Sequence, residues 1–220
     1  LFYKDMEKPI EEVFRNIANI DVTSFLNVPA AKLYGTEIEY EQRLPVYDWV
    51  KWGWFEDKDV TIKTNYTWSD SEVDANGKVF LNGGTPVSPV QVLVDAAGRI
   101  EDGRRLQGQS EHLFNIQLGY TDNEADSDAN LLFNFASERI RTAESLTDLL
   151  PAIVEEPPMM VNFVYNKRFE IRGGQYEFSF KADNLLGDGY EAYQQGGGVT
   201  VPVDTYDIGT SFSFGLKRTF

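Results

Sequence analysis

His112 is the sole histidine of the chain, and there is no cysteine. A Cys–His nucleophile pair is therefore impossible, and a zinc site would lack its usual ligands. His112 shares parity with Phe114 and Ile116, which fits an amphipathic residue at the border between an apolar layer and water better than a substrate contact. The acidic run Asp122-Asn123-Glu124-Ala125-Asp126-Ser127-Asp128 has the look of a calcium loop. A calcium loop of the helix–loop–helix kind needs Gly at its sixth position, where Ser127 stands, so the run reads as a solvated turn. Gly196-Gly197-Gly198 is followed by neither Lys-Ser nor Lys-Thr and opens no helical pattern. It reads as a loop tip rather than a phosphate cradle. Glu37, Glu39 and Glu41 lie on one strand face, as a hydrated wall or, less simply, a cation path. These residues form no catalytic constellation. The expectation is a protein that is not an enzyme and holds no metal or cofactor.

The elements that carry these residues repeat a period of two. Tyr206, Ile208, Thr210, Phe212, Phe214 and Leu216 take one parity near the end of the chain, and Asp207, Gly209, Ser211, Ser213, Gly215 and Lys217 take the other. Successive strand side chains point to opposite faces, so one face is aromatic and the other small and polar. Tyr176, Phe178, Phe180 and Ala182 repeat the pattern, as do Met159, Val161, Phe163 and Tyr165. Phe114, Ile116, Leu118 and Tyr120 form another such set, and so do Val60, Ile62, Tyr66 and Trp68, and Tyr34, Ile38, Tyr40 and Leu44. Leu131, Phe133 and Phe135 mark a less regular strand, and Leu1 to Ile10 completes about eight. The segments run to roughly 10 to 15 residues, whereas soluble strands average about five or six. Tilted strands of about 9 to 11 residues are what a bilayer requires.

Composition agrees with this reading. The 220 residues carry a net charge of −15 and 14% aromatics. Phe, Tyr, Leu and Val are too frequent for a disordered chain. The longest apolar runs, such as Val92-Leu93-Val94, fall far short of the ~18 residues of a transmembrane helix. Moderate polarity is compatible with barrel strands, which show lipid only every second side chain. The acidic balance argues against nucleic acid, because a phosphate backbone wants a basic face. Leu1-Phe2-Tyr3-Lys4 starts as if within a strand, suggesting a piece of a longer polypeptide.

The connections largely alternate between long and short. Glu11 to Asp21 reads as a loop and Pro45 to Asp57 as an intermediate link. Val73 to Gly108 is long, Asp122 to Ser127 short, and Thr142 to Pro157 medium. Arg172-Gly173-Gly174 is a tight turn, and Leu185 to Asp204 is a further loop. Ser145 to Leu149 suggests one helical turn within its loop. Outer-membrane barrels have long extracellular loops and short periplasmic turns, which places the C-terminus in the periplasm.

Several segments resemble the C-terminal barrel region of TonB-dependent receptors. They are Phe2-Tyr3-Lys4-Asp5 leading to Lys8-Pro9-Ile10-Glu11, Ala31 through Glu39, and Leu106-Gln107-Gly108-Gln109-Ser110 with Asn115 and Tyr120. Asn184-Leu185-Leu186 with Tyr190 is similar to that family's asparagine–leucine motif before the last loop. The resemblance covers about four-fifths of the chain. It implies an all-β, antiparallel transmembrane barrel segment: about eight long strands of a barrel of about 22 with a plugged lumen. The whole of 1–220 would belong to that barrel, with plug and earlier strands outside it. Arg218 departs from the pattern by standing on the apolar parity, where a long side chain can snorkel.

The expected function follows from the resemblance. It is energised uptake of a scarce nutrient, such as an iron–siderophore, a vitamin or an oligosaccharide, through the bacterial outer membrane. The implied partners are outer-membrane lipid, TonB acting through the absent plug, the barrel-assembly machinery, and a small-molecule or glycan ligand. Tyr206, Phe212, Phe214, Leu216 and Phe220 would carry the assembly signal. Trp49, Trp52, Trp54 and Phe55, near the expected periplasmic end, read as an interfacial aromatic girdle. Two alternatives stay open. One is a complete eight-stranded barrel with a structural or adhesive role, and the other a soluble glycan-binding β-sandwich.

Overall fold

The structure, a computed structural model, describes residues 1–17, 20–85, 88–146 and 149–219, with side chains described outside 13–24 and 81–89. Phe220, the last residue of the expected assembly signal, lies outside the described residues.

Alternation of apolar and polar side chains favours extended backbone, and the fold is all-β with antiparallel sheets. The strands in chain order are β1 (Phe2–Glu7), β2 (Ile10–Ile17), β3 (Ile20–Asn27), β4 (Ala30–Leu44), β5 (Lys58–Asp74), β6 (Lys78–Thr85), β7 (Ser88–Asp95) and β8 (His112–Asp122). They continue with β9 (Ser127–Ala136), β10 (Arg139–Thr142), β11 (Ile153–Glu156), β12 (Met160–Ile171), β13 (Gly174–Asp183), β14 (Gly189–Gly196), β15 (Val199–Asp207) and β16 (Ser211–Thr219). The main sheet has eight strands in the order β1-β4-β5-β8-β9-β12-β13-β16. It is an open meander: β1 and β16 are its edges and do not pair with each other.

The expected alternation of links is present, but the long links are not irregular. The segment read as a loop from Glu11 to Asp21 holds most of the β2–β3 hairpin. The segment from Val73 to Gly108 holds the end of β5 and the β6–β7 hairpin. The last two long links contribute a second, four-stranded sheet in the order β10-β11-β14-β15. In the segment 145–149 the structure shows an antiparallel bridge from Ser145 to Leu150, and residues 147 and 148 lie outside the described residues. Opposite these, the sheet turns through residues 45–57, 123–126 and 172–173. The first of these carries a short helix α1 (Val46–Val50) and a 3-10 turn (Gly53–Phe55). Arg172 and Gly173 both have positive φ, as a two-residue hairpin turn of matching twist requires.

The reading of Tyr206 as part of the terminal strand is corrected. Tyr206 belongs to β15, and the chain breaks extended pairing at 208–210 before β16 begins. Gly209 sits at φ 71, a turn conformation that parity alone does not reveal.

The buried core lies under the long connections. Leu26, Val28, Val73, Val79, Ala96, Ile100 and Ala143 pack there, drawn from three of those links and the end of β5. In the middle of the eight-stranded sheet, residues of both faces are half-buried or exposed apart from Gly35 and Gly119. No described element covers either face.

Candidate functional site

The register decides how the strand parities combine. In an antiparallel pair, directly opposed residues share a face. Ile38 faces Tyr66, which faces Phe114, which faces Phe135. Ile62 faces Leu118, which faces Leu131, which faces Phe163, which faces Ala182, which faces Phe212. Every apolar parity read from the sequence within the main sheet thus falls on the same side, across the seven strands from β4 to β16. At the β1 edge Tyr3 joins this face opposite Tyr34, while Phe2 and Met6 lie on the other. A slip of one residue in any pair would have broken the surface.

Ring contacts tie this face together. Phe114 meets Phe133 edge-on with centroids 6.1 Å apart, and Phe180 lies 5.0 Å from Phe214. Yet the surface is open: Ile38 is 59% exposed and Phe214 is 73% exposed.

The other face is polar and cross-linked by hydrogen bonds. Asn65 Nδ2 donates to Glu37 at 2.9 Å, Gln117 Nε2 to Asn130 at 2.8 Å, and Asn134 Nδ2 to Asn115 at 2.7 Å. Lys63 pairs with Glu41 at 2.8 Å. Leu33, Leu132 and Val164 are apolar interruptions on this side. Three glycines also sit on it, at 35, 119 and 215. A Cβ at Gly35 would collide with the Trp68 carbonyl and the Phe2 ring, and one at Gly215 with the Ser179 hydroxyl. At Gly35 the obstacle is backbone, so only glycine fits there.

At the short-turn end, Trp52 and Trp54 stack with centroids 5.5 Å apart, and Phe55 stands edge-on to both. Trp54 lies flat against Tyr120 of β8 at 5.4 Å, which anchors the turn to the apolar face. Trp49, on α1, is 63% exposed. Nearby, the Lys58–Asp122 pair at 2.9 Å closes the β5–β8 ladder. Arg218 stays on the apolar parity, opposite Tyr176, and is accommodated there by laying its guanidinium over the Tyr176 ring at 5.5 Å. Phe212, Phe214 and Leu216 all point from β16 onto the exposed apolar face.

Comparison of the chain with family models, with curated proteins and with solved structures finds no match in any of the three.

The long-connection end is held by polar knots. His112 opens β8 there, and its Nδ1 lies 2.9 Å from the Tyr66 hydroxyl. Asn184 ends β13 in the left-handed region at φ 53 and is 1% exposed. Its Nδ2 donates to the carbonyls of Asp188 at 2.8 Å and Gly209 at 3.1 Å. Its carbonyl accepts from Thr210 Oγ1 at 2.8 Å. One side chain thus clamps both ends of the 184–210 link. The neighbouring Leu185 N–H donates to the Val161 carbonyl at 2.8 Å, while the Leu185 side chain is exposed.

Tyr190 of β14 belongs to a network that sequence reading did not assemble. Its hydroxyl donates to Glu155 at 2.5 Å and accepts from Arg141 at 3.2 Å. Arg139 pairs with Glu155 at 2.6 Å, and Arg141 with Asp204 at 2.5 Å. Burial alone pushes the Glu155 carboxyl up, but hydrogen bonds from Tyr190 and Arg139 outweigh it and hold the group below its usual range. Tyr206 stacks on Tyr190, centroids 4.9 Å apart. On the same sheet Tyr193 is pushed up to about 12, by burial first and then by its hydrogen bond to Glu138.

A buried ion cluster was likewise missed. Arg104 reaches Glu11 at 2.8 Å and Glu144 at 3.2 Å, joining three long links. Burial raises the Glu11 pKa, and the Arg104 charge offsets only part of that. Partners this far apart in sequence leave no periodic signal.

Among the described residues no group of His, Cys, Asp or Glu is arranged to hold a metal ion.

Proposed function

We propose that this chain forms part of the wall of an outer-membrane β-barrel, the C-terminal barrel region of a TonB-dependent receptor that takes up a scarce nutrient. The observation that carries the reading is the shared apolar face across seven in-register strands, β4 to β16, opposite a hydrogen-bonded polar face. In water such a face requires a second layer. In a bilayer it requires only hydrocarbon. From Val60 to Trp68 the apolar band of β5 runs about 26 Å along the strand, or about 20 Å in height at a barrel tilt of about 40°, comparable to the ~25 Å band of known barrels. The Trp52–Trp54–Phe55 group fits the periplasmic interface and the long connections fit the extracellular side.

A sheet edge is not tolerated within lipid, so both β1 and β16 need partner strands. Closure by strands outside these residues gives the larger, plugged barrel. The eight-stranded alternative would require β1 and β16 to pair with each other, and they do not. The polar face then lines the lumen against the plug, and TonB acts on that plug. Phe212, Phe214 and Leu216 keep their reading as the assembly signal recognised before closure, with Phe220 completing it. The protein performs no covalent chemistry.

The test is fractionation and transport together. In cells making the intact protein, it should sediment with outer membranes and show heat-modifiable migration. Ligand uptake should stop when the proton gradient is dissipated. Recovery as a soluble monomer without detergent would end the reading.

A further inference from the structure

The last two long connections, 137–159 and 184–210, are unusually acidic. They carry nine acids (Glu138, Glu144, Asp148, Glu155, Glu156, Asp188, Glu191, Asp204 and Asp207) against two bases, Arg139 and Arg141, a net of −7. Both bases are already held by carboxylates, at 2.6 and 2.5 Å. No base in these links is therefore left to receive an anion. An approaching anion meets a negative potential over a screening length of about 8 Å at physiological salt.

Against that background stands a built aromatic surface. Tyr206 is 57% exposed, and its ring is backed by Tyr190 at 4.9 Å. Tyr190 is fixed in turn by Glu155 and Arg141, so four strands, β10, β11, β14 and β15, each supply one member of the support. A groove runs beside the ring, lined by Asp188, Glu191, Thr205 and Asp207. A rigid ring with hydroxyl and carboxylate acceptors around it matches a ligand with apolar C–H faces and many O–H donors.

Resting on the transporter reading above, we infer that the Tyr206 platform is a contact site for an uncharged carbohydrate ligand, and that the nutrient taken up is an oligosaccharide rather than an anionic iron chelate. The ring stacks on a sugar face while Glu191 and Asp207 accept hydroxyl hydrogen bonds. Ordering the platform before the ligand arrives lowers the entropic cost of binding.

The test uses the intact receptor in detergent and a panel of neutral glucose-, xylose-, mannose- and galactose-based oligosaccharides, with ferric citrate as the anionic comparison. At least one sugar should bind, with an affinity insensitive to ionic strength. Tyr206→Ala should weaken it about tenfold, the size of a single strong contact. Tyr206→Phe should leave it within about twofold, since the ring and not the hydroxyl does the stacking. Binding of ferric citrate with no sugar bound, or no binding by any sugar of the panel, overturns the ligand class. A sugar that binds Tyr206→Ala as well as the unaltered receptor overturns the site. Failure of the barrel reading is recognised separately, by a protein that needs no detergent to stay monomeric.

Discussion

The Tyr34 hydroxyl donates to Asp70 at 3.0 Å across the β4–β5 pair. This bond marks a border. On the same face, toward the short turns, lie Thr36 with Trp68 and Ile38 with Tyr66. Toward the long connections lie Lys32 with Glu72 and then Ala30 with Asp74. Apolar side chains give way to carboxylates within one residue pair, with a tyrosine whose ring faces one side and whose hydroxyl faces the other. An aromatic with a polar tip suits the edge of a hydrocarbon layer.

Leu118 and Gln117 are neighbours on opposite faces of β8, and arginine at each should behave oppositely. Leu118→Arg should cost about 1–3 kcal/mol of folding stability in phospholipid vesicles, the expense of a cation on the lipid face between the midplane and the interface, and Gln117→Arg under about 1 kcal/mol. Urea titrations in vesicles measure both. Equal costs would contradict the assignment of faces.

Asn184 should tolerate substitution in a defined order. Glycine keeps the positive φ but loses two hydrogen bonds, alanine loses both the bonds and conformational ease, and aspartate aims a carboxylate at two carbonyls. Asn184→Ala should cost roughly 2–3 kcal/mol, with Gly milder and Asp worse. Hydrogen exchange of residues 184–210 reads the order.

Removing Arg104 should leave Glu11 buried and unpaired, at a cost of about 3–5 kcal/mol near neutral pH. The raised pKa of Glu11 means its stabilising contribution is complete below the unfolded value of ~4.3 and lost as pH rises through the folded value. Without Arg104 that shift grows. The deficit of Arg104→Ala should therefore be largest at neutral pH and shrink toward pH ~4. Thermal unfolding across this range checks it.

Glu155 works with the opposite sign. Its pKa is lowered, so its stabilisation is full above the unfolded value and lost as pH falls through the folded one. Amide protection in β11 and β14 should fall below pH ~4, and Glu155→Gln should remove that dependence.

Much of the main sheet was legible because its signal is local. Each strand of the form Phe-x-Phe or Ile-x-Tyr states its own two faces, and the three short links are bounded by Pro45, Asp122 or Gly173-Gly174. What escaped was non-local. The strands within the long links, such as β10 and β11, span four residues each, too short for a period to emerge. The partners of Tyr190 and of Arg104 come from distant segments. Tyr206 was misplaced because its parity happens to continue through the turn at Gly209 into β16. Asn184 was visible as a motif, but its clamp on Asp188 and Gly209 exists only once β13 and β16 pair.

These 220 residues contain no cysteine, so single-cysteine spin labels can be introduced at chosen positions among them, and one such comparison addresses the central claim. Labels at positions 118 and 117 of the intact protein in vesicles are exposed in turn to oxygen and to a water-soluble nickel chelate. The label at 118 should be relaxed by oxygen and shielded from nickel, and the label at 117 should show a markedly lower ratio of oxygen to nickel accessibility. If position 118 were shielded from both, packed against protein in a lipid-free monomer, the bilayer account would be contradicted.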